Sequence, residues 1–107
     1  MKRTVFRLHI DTSRSDSSIV RIETDYKTIT KRIDGLATAE KILAALSALL
    51  QDHDLSLVNL THISVSRGPG SYTGLRVTAA IAQIMGLLLS VPVNGKSADI
   101  PLDLVYE

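Results

Sequence analysis

The feature that most constrains the fold is Thr61 to Gly95. There a short apolar run, Ile63-Ser64-Val65, enters Arg67-Gly68-Pro69-Gly70-Ser71-Tyr72-Thr73-Gly74, and a long apolar stretch follows. Gly68 and Gly70 flank Pro69, so the chain can turn sharply where the strand ends, through φ values closed to other residues. Ser71 or Thr73 then stands where a helix beginning near Gly74 needs an N-cap oxygen for its orphaned amides. A strand, a glycine loop and a helix in this order point to an α/β fold. Such a loop can also hold an anion, because free N–H groups and the positive end of the helix dipole converge there. Gly68, Gly70, Ser71 and Thr73 are therefore candidates for phosphate contact, and a tight turn without a ligand accounts for the same residues. The loop is not a P-loop, since no Gly-Lys-Ser/Thr follows at the required spacing. Nor is it a dinucleotide fingerprint, because Gly68, Gly70 and Gly74 leave one residue too many for G-x-G-x-x-G.

Thr4 to Ile33 reads as three strands joined by short turns. Phe6, Leu8 and Ile10 alternate with Arg7, His9 and Asp11; Val20 and Ile22 alternate with Arg21 and Glu23; Ile29 and Ile33 share one side of a third run. Period-2 alternation of this kind predicts an antiparallel meander with one apolar face. From Leu36 to about Asp52 the period becomes helical, with Leu36, Ala39, Ile42, Leu43, Leu46, Leu49 and Leu50 at i, i+3, i+4 and i+7 spacing. A strand over His62–Ser66, a helix over Gly74–Ser90 and a last short strand at Pro92-Val93 complete the order β-β-β-α-β-α-β. Asn94-Gly95 turns out of that strand, and residues 96–107 form a C-terminal tail within a single domain spanning 1–107.

The second helix is apolar nearly all round: between Leu75 and Leu89 the clearly polar side chains are Arg76, Thr78 and Gln83. A helix on one face of a small sheet needs only an apolar stripe, so the excess calls for a second protein to cover it. Ala79, Ala82 and Gly86 permit close approach, and Met85 would fill gaps. With Leu46 and Leu49 of the first helix, these form the expected partner interface, although the first helix could also cover part of that surface.

Composition closes several routes. Twelve basic against 11 acidic residues leave a formal net charge of +1, no electrostatic footprint for direct nucleic-acid binding. Aromatic content of 4 % with no Trp supplies no base-stacking platform, and the absence of cysteine excludes thiolate chemistry. Without a secretory signal, the expected location is the cytoplasm. Ala79 to Leu89, broken by Gln83, falls short of the ~20 apolar residues that cross a bilayer, so a buried helix and no membrane partner are expected. Asp11, Asp16 and Asp25 sit at strand ends and turns, where an Asx-type turn accounts for them; one carboxylate on one loop is no metal cage. His9, His53 and His62 lack metal-ligand spacing, and no nucleophile–base–oxyanion set is suggested. No cofactor, metal site or catalytic residue is expected.

Arg67 to Arg76, with Ala79-Ala80 and Pro92-Val93 downstream, resembles the signature of the TsaB family, also called YeaZ. Ile10-Asp11-Thr12-Ser13 resembles that family's opening strand and loop, so the likeness runs from about Thr4 to Ser97. It implies one ribonuclease-H-like lobe of the actin-like ATPase fold, with two main helices on a five-stranded mixed sheet. It implies a non-catalytic protein that supports TsaD, the enzyme placing threonylcarbamoyl on tRNA adenosine. The expected partner is thus a TsaD-like protein, a second copy of this chain, or both, through the two helices, with tRNA touched only indirectly. In the actin-like group, an Asp at the place of Asp11 helps hold a metal–phosphate unit. Thr38 stands where the family usually carries a histidine, so any role of that histidine is not carried over. Two-lobed relatives bind nucleotide between lobes; a single lobe is expected to lack that cleft. The alternative is a small phosphate- or nucleotide-binding module, or half of a split ATPase, built on Gly68 to Gly74.

Overall fold

Alternation along the first three strands sets one face of the sheet. In β1 (Phe6–Asp11), β2 (Ser17–Thr24) and β3 (Thr28–Asp34), Phe6, Leu8, Ile10, Val20, Ile22 and Ile33 are buried. The intervening Arg7, His9, Arg21, Glu23 and Arg32 are half-buried or exposed. The computed structural model describes residues 4–106; Met1 to Arg3 and Glu107 of the expected 1–107 lobe lie outside the described residues. β4 (His62–Val65) runs parallel to β1 and the other pairs are antiparallel, giving the order β3-β2-β1-β4. Leu8 faces Ile22 across one ladder and Ile63 across the other, so the apolar rows of adjacent strands coincide.

The two helices lie on this apolar face. α1 (Ala39–Asp52) buries Ile42, Ala45, Leu46 and Leu49, and α2 (Tyr72–Leu89) buries Leu75, Ala79, Ala82 and Gly86. Residues of both helices join the strand residues in one core. Each fully buried Leu or Ile is worth about 1.5–3 kcal/mol, so α1 is held by packing more than by propensity. α1 begins three residues later than the periodicity suggests, because Thr38 is extended and its Oγ1 accepts the Lys41 amide at 3.2 Å. That N-cap leaves Leu36 outside the helix and exposed. α2 begins two residues earlier than expected and ends at Ser90, whose left-handed backbone precedes Pro92. At 18 residues it is long and apolar enough, by length and composition alone, to cross a membrane, a test that the core helix of a folded domain also passes. In this fold it packs against the sheet, with Leu75 and Ala82 fully buried. A single turn of 3-10 helix, Leu57–Asn59, capped by Ser56, connects α1 to β4.

The sheet has four strands, not the expected five. Pro92-Val93 contributes only the isolated bridge between Ile63 and Val93, with Ile63 N donating to Pro92 O and Asn94 N to Ile63 O. Beyond it, Asn94 and Gly95 take positive φ and fold the chain back, so that Val93 and Lys96 pair with each other. The Asn94 side chain then does what the next peptide group of a strand would do. Its Oδ1 accepts Val65 N at 2.8 Å and its Nδ2 donates to Val65 O at 3.2 Å. An amide side chain thus replaces a strand residue, and the turn keeps the bonds a fifth strand would have supplied.

Candidate functional site

The glycine loop is built onto the end of β1. Thr12, fully buried, donates from Oγ1 to Gly74 O at 2.8 Å and lies 2.6 Å from Thr78 Oγ1, joining β1 to the first two turns of α2. Asp11 Oδ1 accepts both the amide and the hydroxyl of Ser13, at 3.0 and 2.7 Å, which is an Asx-type turn. Burial pushes this carboxyl up. The Ser13 amide and hydroxyl, the nearby His9 and Ser66 outweigh that and leave it below the ordinary value. Gly68 has φ +101, and Gly70 rests on the Ser13 backbone so closely that an added Cβ would lie 2.5 Å from Ser13 O. Gly70 needs to be small; Gly68 needs its backbone freedom.

Ser71 caps α2, its Oγ accepting Gly74 N at 3.1 Å, while Thr73 lies exposed in the first turn. The loop's donors turn inward. Gly70 N donates to Val105 O, Ser71 N to Ser13 O and Gly74 N to Ser71 Oγ. Three amides that an anion would need already have acceptors within the chain, two from backbone and one from the cap itself.

Residues 97–106 form an ordered segment along α2. Gln83 Nε2 donates to Ile100 O at 2.9 Å, Val105 N to Arg67 O at 2.7 Å, and Tyr106 bridges Gly70 with its ring 4.7 Å from that of Tyr72. The Arg76 guanidinium lies 5.3 Å from the Tyr72 ring centre.

The residues expected at a partner interface are mostly interior. Leu46, Leu49, Ala79, Ala82 and Gly86 are buried and Met85 is half-buried, so none offers an open contact surface. An added Cβ at Gly86 would lie 2.6 Å from Ala98 Cβ and 2.8 Å from Val91 O. The close approach that small residues permit is thus made by the chain's own return from β4's edge. The open surface is carried by larger side chains that the sequence pattern does not single out. Ile84 and Leu87 are each 58 % exposed, Leu88 is 79 % exposed, and Leu43 on α1 is 47 % exposed. Ile84, Leu87 and Leu88 share one side of α2 at i, i+3 and i+4. The signal was present in the all-round apolar pattern; which side faced water was not.

The histidines do not converge. His9 Nδ1 pairs with Ser64 Oγ, His62 Nδ1 with Thr61 Oγ1 and His53 Nδ1 with Lys27 Nζ. Among the described residues, no three His, Cys, Asp or Glu side chains gather into a metal-sized group.

With this geometry in place, the likeness to known proteins can be located on it. TsaB of Bacillus subtilis, described as a tRNA threonylcarbamoyladenosine biosynthesis protein, is 33 % identical over 93 residues, covering 85 % of this chain and 40 % of its own. TsaB of Haemophilus influenzae is 31 % identical over 86 residues, covering 80 % of this chain and 36 % of its own. The family model described as TsaD, tRNA N6-adenosine threonylcarbamoyltransferase, matches residues 19–97, well over half of the chain. The chain belongs to the TsaB/YeaZ family. YeaZ from Pseudomonas aeruginosa superposes with a TM-score of 0.77 over 83 % of this chain and 42 % of that one, at 24 % identity, a likeness of fold. The chain spans about two fifths of the length of these TsaB/YeaZ relatives. The family match includes the glycine loop and all of α2, and ends at Ser97, the first residue of the segment that lies along them.

Proposed function

We propose that this chain is a non-catalytic interaction protein of threonylcarbamoyladenosine synthesis, one ribonuclease-H-like lobe that binds and supports a TsaD-like enzyme acting on tRNA in the cytoplasm. Membership of the TsaB/YeaZ family supplies the pathway. The observation that carries the interaction is the apolar ridge of Ile84, Leu87 and Leu88 on α2, together with Leu43 on α1. An exposed apolar ridge of this kind, on a helix already anchored by its opposite side, marks a place where another protein excludes water. The partner meets the outer sides of the helices, and tRNA is touched through the enzyme. The glycine loop serves as the joint between β1 and α2. The amides of Gly70, Ser71 and Gly74 already have acceptors within the chain, which favours this joint over the phosphate-binding alternative.

Sedimentation of the chain with and without a purified TsaD-like enzyme tests this. A complex that Leu87→Glu or Leu88→Glu abolishes, with the circular dichroism of the variant unchanged, is the expected result. A folded monomer under both conditions would remove the proposal.

A further inference from the structure

We infer that residues 97–106 are a displaceable strap that masks one flank of the α2 association surface and must lift before a partner helix can occupy it. This rests on the reading of α2 as a partner surface given above.

The strap is fastened at its ends and only lightly held between them, where half-buried Leu102 packs against the edge of the core. At one end Ala98 is buried against Gly86, and Gln83 holds Ile100 O. At the other, Val105 exchanges hydrogen bonds with the glycine loop, donating to Arg67 O and accepting from Gly70 N. Between these points Pro101 and Leu102 border two open spaces. One, of about 330 Å³, lies against Ala79, Ala80 and Gln83 of α2, and the other, of about 420 Å³, against Val65, Arg67 and Asn94. Among the described residues none after Ala98 is fully buried and no ion pair ties the segment down. A segment with few buried contacts and solvent-facing backbone bonds opens at much lower cost than the core it lies on.

What the strap covers gives the opening its consequence. Beneath the strap Ala79 is buried and Gln83 half-buried, and Gln83 lies one helical turn before Leu87, so the covered flank is continuous with the exposed ridge. Ala79 is small enough for a second helix to approach α2 closely, and in the closed chain Pro101, Leu102 and Leu104 border that approach from its outer side. The closed strap and a docked helix therefore compete for one flank. Binding is weakened by the fraction of chains that hold the strap down, about tenfold if one chain in ten is open.

Val105→Pro in the full chain removes the amide that donates to Arg67 O, at an exposed position; Val105→Ala retains it and is the control. Two measurements decide the matter. In the free protein, Gly70 amide exchange should accelerate in Val105→Pro while the amides of β1, β2 and α1 hold their rates. Acceleration of the core amides in parallel would make the segment an integral part of the fold and overturn the inference. With a TsaD-like enzyme, Val105→Pro should bind about tenfold more tightly than Val105→Ala, and the wild-type Gly70 amide should exchange faster in the complex than alone. Equal affinity of the two variants, or a Gly70 amide better protected in the complex, overturns the masking while leaving the association standing. No binding by either variant defeats the proposed function, and the masking with it.

Discussion

Replacing Gly70 by alanine isolates the contact on which the glycine loop is seated. Gly70 is not among the glycines with positive φ, so a side chain there meets no backbone penalty of its own. Its Cβ would instead lie 2.5 Å from Ser13 O, 2.7 Å from Ser13 Cα and 3.0 Å from the Ser13 carbonyl carbon, where ordinary contact begins at 3.4 Å. These are backbone atoms of a turn pinned by Asp11, so they cannot swing aside as a flexible side chain would. The loop must retreat by nearly an ångström. Overpacking of this kind costs about 1–3 kcal/mol, and retreat also strains the Ser71–Ser13 and Gly70–Val105 hydrogen bonds, worth about 1 kcal/mol each. A loss of about 3 kcal/mol follows, which a urea slope of about 1–3 kcal/mol per molar turns into a midpoint lower by ~1–3 M. Gly95→Ala is the reference. Gly95 has φ +78 with no atom within 4 Å of an added Cβ, so its substitution carries strain alone, about 1 kcal/mol. If Gly70→Ala costs no more than Gly95→Ala in urea titrations of both, the steric argument for this loop is wrong.

Thr12→Val removes the donor to Gly74 O and strips Thr78 Oγ1 of its partner inside the core, so thermal unfolding should register a loss of about 2 kcal/mol, while Thr12→Ser recovers most of it. Ala82→Glu places a carboxylate at a fully buried site and should unfold the lobe at a cost of several kcal/mol, whereas Leu87→Glu should keep the native circular dichroism; the opposite ranking would mean α2 is rotated from its position here. The Asp11 carboxyl titrates below its ordinary 3.8, so its stabilisation is complete above that pH and disappears as pH falls through the lowered folded-state value. Asp11→Asn should therefore show a flatter decline of melting temperature below about pH 4 than the parent chain; parallel curves would dismiss the linkage.

The strands were legible because their signal is strong and local. Leu8, Ile10, Val20 and Ile22 alternate without exception, and a period of two admits only one assignment of faces. The cap and the turn were legible to within a pair of residues each, Ser71 or Thr73 and Gly68 or Gly70, because few residue types can fill those positions; the fold takes Ser71 and Gly68. The start of α1 was not, since Leu36 fits the helical period and only a cap three-dimensionally placed at Thr38 excludes it. The fifth strand failed for a related reason: Pro92-Val93 has strand composition, but Asn94 supplies its bonds from a side chain, and no pattern of apolar residues records that. The orientation of α2 was hidden because a helix apolar nearly all round has too little contrast between its sides to betray the inner one. Small residues on such a helix invite a partner, yet here Gly86 and Ala79 are claimed by Ala98 and the segment that follows it.

β1 joins two ladders of unlike reach. Its antiparallel partner β2 follows at once, Asp11 opposite Ile19, whereas Phe6 and Thr61 exchange hydrogen bonds across 55 residues. During synthesis, β1 to β3 therefore leave the ribosome as a sheet whose central apolar row has no cover and whose β1 edge has no neighbour. Closing the longer loop adds only about 2 kcal/mol of chain entropy over the short one, so waiting time, more than free energy, sets the hazard. An uncovered strand edge beside an apolar face is a template for another nascent chain. The interval ends when Leu60 to Val65 emerge and β4 closes that edge.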